Sequence, residues 1–120
     1  MQSCSTITII IQNAPYKGDN KAWHALRFAG AALIEDMKVR VHLLDDGVQL
    51  ARRGLPVPAD AVNLEKLLAE LMECGLEVRA CGMALQDCKL DRRGLIPGVQ
   101  QGSMKALASW VKESDIVLTF

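Results

Sequence analysis

The chain has 120 residues, of which 50% are hydrophobic, only five are aromatic, and 14 basic side chains balance 14 acidic ones. This length predicts a single domain spanning residues 1–120, and a core rich in Ala, Leu, Val and Ile is typical of parallel sheets. The balanced charge excludes the basic footprint of nucleic-acid or anionic-membrane binding, and no apolar run is long enough to cross a bilayer.

Strand and helix patterns alternate along the chain. The predicted strands, marked by β-branched or alternating apolar residues, are Thr6–Ile11, Lys38–Leu44, Glu77–Cys81 and Asp115–Phe120. The predicted helices run from Trp23 to Ile34 with Asp19 or Asn20 as cap, from Val48 to Arg53, from Asn63 to Met72 with Gly75 as terminator, and from Gly102-Ser103 to Val111. This alternation predicts an α/β fold, a three-layer α/β/α sandwich with a mainly parallel sheet of about 4–5 strands.

Three strand exits should meet at one edge of this sheet, because the carboxyl ends of parallel strands lie on the same side. They are Asn13–Gly18, Asp45–Gly47 and Cys81–Met83. Ligands bind at this edge in open α/β sheets. Cys81 is therefore either a small core residue or a nucleophile whose thiolate nearby helix N-termini would favour, and the pattern leaves both interpretations open. The segment after Cys81 is predicted to be a glycine-bearing loop.

The other cysteines carry weaker signals. No charged start followed by an apolar signal segment opens the chain, so we expect a cytoplasmic protein with free thiols. Cys74 ends a leucine-striped helix and is expected to be structural, whereas Cys4 precedes the first strand and is expected to be incidental. Cys88, in the loop after Cys81, is a possible secondary thiol that could pair with Cys81 or simply be exposed.

Sites of other classes are disfavoured. The cysteines offer no close ligand pair such as C-x-x-C, so no metal site is expected. His24 on the first helix and His42 within a strand are more typical of a helix surface and a core edge than of ligands or bases. The chain has neither a P-loop nor the Gly-x-Gly-x-x-Gly fingerprint of dinucleotide sites. Asp45 and Asp46 before Gly47 are typical of a turn, although they could be paired acids.

Several segments occur together in an order that is shared by a known family. They are Ile7–Ile11 leading into Ala14-Pro15-Tyr16, Ala25–Ala29, Leu44–Val48, Gly75–Cys81, Arg93-Gly94-Leu95, Gly98-Val99, Met104, Trp110-Val111 and Ser114–Phe120. In this order, over nearly its whole length, the chain resembles the DsrE/DsrF-like family of small sulfur-relay proteins, which includes the TusD-type sulfurtransferase subunits.

The resemblance implies a compact α/β subunit that forms trimers or hexamers, either with copies of itself or with related DsrE-like subunits. In sulfur-transferring members a cysteine after this strand accepts sulfur as a persulfide from a donor protein and passes it to an acceptor protein. Cys81 matches that position. This chemistry needs a thiolate but neither a metal nor an organic cofactor. Nucleic acid and membranes are not expected partners.

The leading hypothesis is therefore a sulfur carrier or sulfurtransferase with Cys81 as the persulfide site. Candidates for shaping its pocket, chosen by their position at the strand exits, are Asn13, Tyr16, Asp46, Gly82 and Met83. The first alternative is a non-catalytic oligomeric subunit, or a small-ligand binding module, in which Cys81 is packed and inert. The second alternative is a redox switch in which Cys81 and Cys88 form a disulfide.

Overall fold

The computed structural model of the protein describes residues 5–120, so Cys4 lies outside the described residues. Strands and helices alternate within this range. They are β1 Thr6–Ile11, α1 Lys21–Ile34, β2 Lys38–Leu43, a first 3-10 helix Asp45–Ala51, α2 Leu64–Glu73, β3 Glu77–Cys81, α3 Gly82–Asp87, a second 3-10 helix Arg92–Gly94, β4 Gln100–Gly102, α4 Met104–Glu113 and β5 Ile116–Thr119.

The five strands form one sheet in the order β4-β3-β2-β1-β5, and every neighbouring pair is parallel. The predicted α/β class and parallel sheet are thus confirmed. From β1 to β4 each new strand is added on the same side of the preceding one. The last strand, β5, instead lies on the other side of β1. Right-handed crossovers therefore place α1, α2 and α3 on one face of the sheet and α4 on the opposite face.

The two faces of the sheet differ in chemistry. The register aligns Ile9 with Val41 and Val41 with Val78, so apolar side chains share the face beneath α1 and α2. These side chains are almost completely buried and form the main core. The opposite face carries Arg40 and His42, which alternate with the valines of β2 and lie beneath α4. The sheet thus places its polar groups on one face only.

The second helix follows its sequence signals closely. The Asn63 side chain accepts a hydrogen bond from the Lys66 amide at 3.1 Å, as an N-cap residue does. Leu64, Leu68 and Leu71 form the buried stripe, and burial of each leucine contributes about 1.5–3 kcal/mol to stability. The helix ends before Gly75, whose positive φ of 109° suits glycine.

Three predicted elements need correction. The segment after Cys81 is the helix α3, not a loop, because Met83 to Gln86 are good helix formers that follow the glycine. The predicted helix Val48–Arg53 is instead a 3-10 helix that starts earlier and covers Asp45–Ala51. β4 was not predicted at all, since its Gln100–Gly102 sequence has no β-branched or aromatic residue.

Some apolar side chains of α1 and α4 are exposed, although the apolar patterns of these helices predict burial. Ile34, the last residue of both the predicted helix and α1, is 82% exposed. In α4 only Leu107 and Trp110 are buried, while Met104 and Val111 are exposed. Across residues 5–120, no helix combines the length and apolar character needed to cross a membrane.

Candidate functional site

Cys81 lies at the point where the sheet ends and a helix begins. It is the last residue of β3 and the N-cap residue of α3, and its side chain makes no capping hydrogen bond. The residue is 7% exposed, so only a small part of it reaches the surface. Cys81 lies at this junction because the strand Glu77–Cys81 passes directly into Gly82 and a helix-forming segment.

A cleft of about 540 Å³ opens beside Cys81 at the carboxyl edge of the sheet. It is formed by the end of β2, the start of α3 and the junction between β4 and α4. Its lining residues are Leu44, Asp45, Cys81, Gly82, Met83, Ala84, Gln86, Asp87, Gln101, Gly102, Ser103 and Met104. Met83 and Met104, which also line it, are 75% and 64% exposed, so part of its wall is made of flexible apolar side chains.

The strand exits meet at one edge, as the parallel topology predicts, but they contribute unequally to this cleft. Gly82 and Met83 line it. From the second exit Asp45, at the start of the 3-10 helix, lines the cleft, whereas Asp46 does not; both residues are exposed. Asn13, half-buried at the first exit, does not line it.

Tyr16 belongs to a different part of the molecule. Its hydroxyl donates a hydrogen bond to the Val62 carbonyl at 2.6 Å and accepts one from the Leu64 amide at 3.0 Å. These bonds connect the loop after β1 to the start of α2. Tyr16 lines a separate pocket of about 280 Å³ with Trp23 and Asp60 among its walls. Its position is therefore explained by local architecture, not by the Cys81 cleft.

The remaining described thiols stand apart from Cys81. Cys88 is the C-cap residue of α3 and is half-buried, so it lies at the far end of the helix that Cys81 begins. A helix rises about 1.5 Å per residue, which separates these two residues by roughly 10 Å, beyond the reach of a disulfide. Cys74, expected to be structural, is exposed at the end of α2.

His42 is the unexpected feature near the cleft. The residue is 0% exposed, and neither ring nitrogen has a hydrogen-bond partner among the described residues. Its ring packs edge-on against Trp110 at a centroid distance of 6.1 Å. Burial is the main cause that lowers the pKa of His42 below its ordinary value; a backbone interaction with Ser103 that falls short of ordinary hydrogen-bond geometry raises it, and the positive charge of Arg79 lowers it further.

The sequence does not predict that Gln101 and Ser103 line the cleft, or that His42 lies buried against Gly102 beside it. The signal that could have found His42 is the alternation of β2, which places it on the same sheet face as Cys81 once the parallel register is known. Gln101 and Ser103 follow from the β4 strand, which the sequence does not reveal. Ser103 also caps α4, since its hydroxyl accepts a hydrogen bond from the Ala106 amide at 3.1 Å.

Charged side chains surround His42 on the sheet face beneath α4. The Arg40 guanidinium donates to the Glu113 carboxylate at 2.7 Å and lies 3.5 Å from that of Glu77. The Arg79 guanidinium stacks over the ring of Trp110 at 4.2 Å. In residues 5–120, no group of three or more His, Cys, Asp or Glu side chains is arranged to hold a metal ion.

A larger hollow of about 800 Å³ lies on the other side of α3 and shares Gly82, Gln86 and Gln101 with the Cys81 cleft. Its walls come from the second 3-10 helix and the segment leading into β4, and Asp91 and Arg92 are its charged residues. No cysteine or histidine lines it. The smaller cleft is therefore the better candidate for chemistry, because a cysteine lines it.

Known proteins similar in sequence to this chain match it over nearly its whole length. An uncharacterised protein of Methanopyrus kandleri is 40% identical over 119 residues, covering 99% of this chain and 97% of that protein. The YchN protein of Escherichia coli is 30% identical over 116 residues, covering 95% of this chain and 97% of that protein.

Solved structures agree with this relationship. The crystal structure of Escherichia coli YchN matches with a TM-score of 0.89 at 30% identity, covering 97% of this chain and 99% of that chain. A protein of unknown function from Methanobacterium thermoautotrophicum matches with a TM-score of 0.68 at 19% identity, covering 95% and 98%, which shows a shared fold alone. The sequence profile of the DsrE/DsrF-like family matches residues 5–120, and the chain belongs to that family.

Proposed function

We propose that the protein is a sulfur carrier or sulfurtransferase that accepts sulfur as a persulfide on Cys81 and relays it to a partner protein. The observation that supports this proposal is the position of Cys81 in a DsrE/DsrF-like chain. The thiol lines a cleft at the carboxyl edge of a parallel sheet, where such folds bind their ligands.

The transfer proceeds by thiol–disulfide-type exchange and needs no net oxidant. The Cys81 thiolate attacks the outer sulfur of a donor persulfide, R–S–SH. The donor S–S bond breaks, R–S⁻ leaves, and Cys81 becomes Cys–S–SH. An acceptor thiolate then attacks the outer sulfur, and Cys81 leaves as the thiolate. Each step forms one S–S bond and breaks one.

The cleft has the properties that a persulfide carrier requires. Cys81 is only 7% exposed, so its sulfur is shielded from small reductants, whereas a terminal sulfur would extend into a cleft of about 540 Å³. Met83 and Met104 give the rim a deformable apolar surface on which donor and acceptor proteins can dock in turn. Asp45, Gln101 and Ser103 supply polar groups within the cleft.

We further propose that the subunit assembles with copies of itself, as a trimer or hexamer. Val117 on the edge strand β5, its neighbour Ile116 and Val111 of α4 are each about two-fifths exposed. Apolar side chains on an unpaired edge strand favour association with another chain.

The sulfur-carrier proposal is tested with a persulfide donor and intact-mass measurement. The matched protein is the variant Cys4→Ser/Cys74→Ser/Cys88→Ser, which keeps Cys81 as its single thiol. We expect this variant to gain one sulfur atom that is released by a reductant, and the same protein with Cys81→Ser to gain none. The proposal fails if no adduct forms, or if the adduct persists without Cys81.

The competing function is an inert DsrE-like subunit, which the low exposure of Cys81 favours. A packed thiol would react with iodoacetamide only after unfolding, whereas a site thiol reacts in the native protein. Alkylation of the single-thiol variant with and without denaturant therefore separates the two functions. Protection throughout the native state would favour the inert subunit.

A further inference from the structure

We propose that His42 is a pH-sensitive switch that controls access to the Cys81 cleft. In acid, protonation of the buried imidazole releases the junction segment, residues Gln101–Met104 between β4 and α4, and so opens one wall of the cleft. Because Cys81 is the proposed persulfide site, this inference rests on the proposed function and adds to it the regulation of the same site.

The junction segment connects His42 to the cleft. All four of its residues line the cleft, so the segment forms one complete wall. His42 packs against this wall, since a β-carbon built on Gly102 would lie 2.6 Å from His42 Nε2. The imidazole does not itself line the cleft, but it contacts the backbone that does. A displacement at the ring is therefore transmitted to the wall.

The junction segment is held by few interactions. The strand β4 has three residues, lies at the edge of the sheet, and within residues 5–120 pairs with β3 alone. At the other end of the segment, the Ser103 hydroxyl caps α4 by accepting a hydrogen bond from the Ala106 amide at 3.1 Å. Such lightly held segments open locally at a lower free-energy cost than central strands. The segment can therefore move while the rest of the sheet stays folded.

The surroundings of His42 suit a neutral ring and not a cation. The side chain is 0% exposed, and neither ring nitrogen has a hydrogen-bond partner among the described residues. A buried charge without partners carries a far larger desolvation penalty than a neutral polar group. The backbone of Ser103 favours the proton, but at a geometry that falls short of an ordinary hydrogen bond. The helix α4 also begins here, and the positive end of its dipole opposes a cation.

The charged groups of β2, β3 and α4 do not compensate an imidazolium. The Arg40 guanidinium already engages the carboxylates of Glu113 at 2.7 Å and Glu77 at 3.5 Å. Arg79, the ladder partner of His42, has no carboxylate partner within residues 5–120, and its positive charge opposes protonation of the ring. An added proton on His42 therefore places a second uncompensated positive charge in this layer.

The remaining neighbours of His42 supply no negative charge either. From β1 the ladder partner is Ile10, and from α4 the ring of Trp110 packs edge-on at 6.1 Å. Cys81 is the other titratable side chain that β3 places on this face, at the position that pairs with Gly102. Three further charged side chains of β2 and α4 are exposed, namely Lys38, Lys105 and Lys112. The imidazolium is therefore satisfied when the segment moves and water enters.

The direction of the response follows from linkage between protonation and opening. In the closed protein the pKa of His42 lies below its ordinary value of 6.5, chiefly because of burial, and in the open form the hydrated ring returns toward that value. The open form therefore binds the proton more tightly. The ratio of open to closed protein then rises as pH falls from 6.5, by as much as about tenfold for each pH unit until the lowered pKa is reached.

The first experiment measures hydrogen exchange of the wild-type amides by NMR between about pH 5 and about pH 7.5, corrected for the intrinsic pH dependence of exchange. We expect the amides of Ala106 and Leu107, which are bonded to Ser103, to lose about tenfold in protection on the acid side, whereas Ile9 in β1 keeps its protection. His24→Gln, which removes the second of the two histidines, should behave as the wild type. Loss of protection in all strands together, or in none, would overturn the proposal.

The second experiment measures access to Cys81 with 4,4′-dithiodipyridine, a disulfide reagent that still reacts with thiols in acid. The reaction rate of the single-thiol variant is divided by the rate of the same variant with His42→Gln, whose side chain cannot be protonated. We expect this ratio to rise by about tenfold from about pH 7 to about pH 5.5. The same ratio taken with His24→Gln should stay near one, and thermal unfolding shows that each variant is folded. A ratio for His42→Gln that does not change with pH contradicts the switch.

Neither experiment uses a persulfide, so their failure is distinguishable from failure of the sulfur-carrier proposal. A protein that opens in acid but gains no sulfur on Cys81 retains the switch and loses the proposed function. A protein that gains sulfur on Cys81 but shows no acid-dependent opening retains the function and loses the switch.

Discussion

His42 packs directly against Gly102, two strands away in the sheet, and the absence of a side chain at Gly102 is what makes this contact possible. A β-carbon at Gly102 would lie 2.6 Å from His42 Nε2 and 3.1 Å from the β-carbon of Arg79. Gly102 is also the ladder partner of Cys81. Gly102 therefore contacts the buried imidazole and also pairs with Cys81 through the backbone.

This contact predicts the effect of Gly102→Ala. The new methyl group would force the buried imidazole to move within a packed layer, and overpacking of this kind costs about 1–3 kcal/mol. We expect a loss of that size in the free energy of unfolding, measured by urea denaturation. Gly94→Ala is the control, since the nearest side-chain atom to its β-carbon is at an ordinary 3.6 Å. Equal stability of the two variants would contradict the packing described for His42.

The stability of the protein should also depend on pH through His42. Its pKa in the folded protein is lowered from the ordinary value of 6.5, chiefly by burial. The unfolded chain therefore binds the proton more readily, so the stabilising contribution is present above pH 6.5 and is lost as pH falls through the lowered value. Urea midpoints between about pH 5 and pH 8 should fall on the acidic side, and His42→Gln should flatten this dependence while His24→Gln does not.

The sequence predicted the fold better than it predicted the site, for reasons visible in particular residues. β1 was located to the residue because Thr6–Ile11 is an unbroken β-branched run. The sequence does not predict β4, because Gln100–Gly102 forms a strand only by pairing with β3. Such long-range pairing leaves no signal in the local strand propensity of the residues. That omission also hid Gln101 and Ser103, which line the cleft.

The sequence likewise does not determine which of two neighbouring polar residues lines the cleft. Asp45 and Asp46 are adjacent and chemically identical, and only the 3-10 helix that begins there determines that the first lines the cleft and the second does not. Tyr16 follows the first strand exit, but the loop that carries it turns toward α2. His42 looked like an ordinary core-edge residue, because its lack of partners becomes apparent only when the sheet and α4 are assembled around it.

The ion pair between Arg40 and Glu113 is expected to stabilise α4 on the sheet. The Arg40 side chain is 9% exposed, so removing its carboxylate partner at 2.7 Å would leave a buried guanidinium less well satisfied. The Glu113 side chain is 60% exposed, and solvent screening reduces the effect. We expect Glu113→Gln to lose about 1 kcal/mol in urea unfolding, against no measurable loss for the exposed Glu70→Gln. Matching values for the two variants would show that the pair contributes nothing.

Self-assembly should be sensitive to a charge on the edge strand. Val117 is 41% exposed on β5, where a lysine would oppose pairing with another apolar surface. We expect Val117→Lys to sediment as smaller species than the wild-type protein. Val57→Lys introduces the same charge at a similarly exposed position outside the sheet, and it should leave the assembly intact. An unchanged sedimentation coefficient for Val117→Lys would exclude this strand from the interface.

Tyr16 should act on stability and not on sulfur chemistry. Its hydroxyl accepts from the Leu64 amide and donates to the Val62 carbonyl, so Tyr16→Phe removes two hydrogen bonds at the start of α2. We expect a loss of about 1–3 kcal/mol in the free energy of unfolding, because typical hydrogen bonds contribute about 0.5–1.5 kcal/mol each. Persulfide loading of Cys81, measured by intact mass, should be unchanged, since Tyr16 does not line the Cys81 cleft. Impaired persulfide loading in a fully folded Tyr16→Phe protein would show that Tyr16 contributes to the Cys81 site.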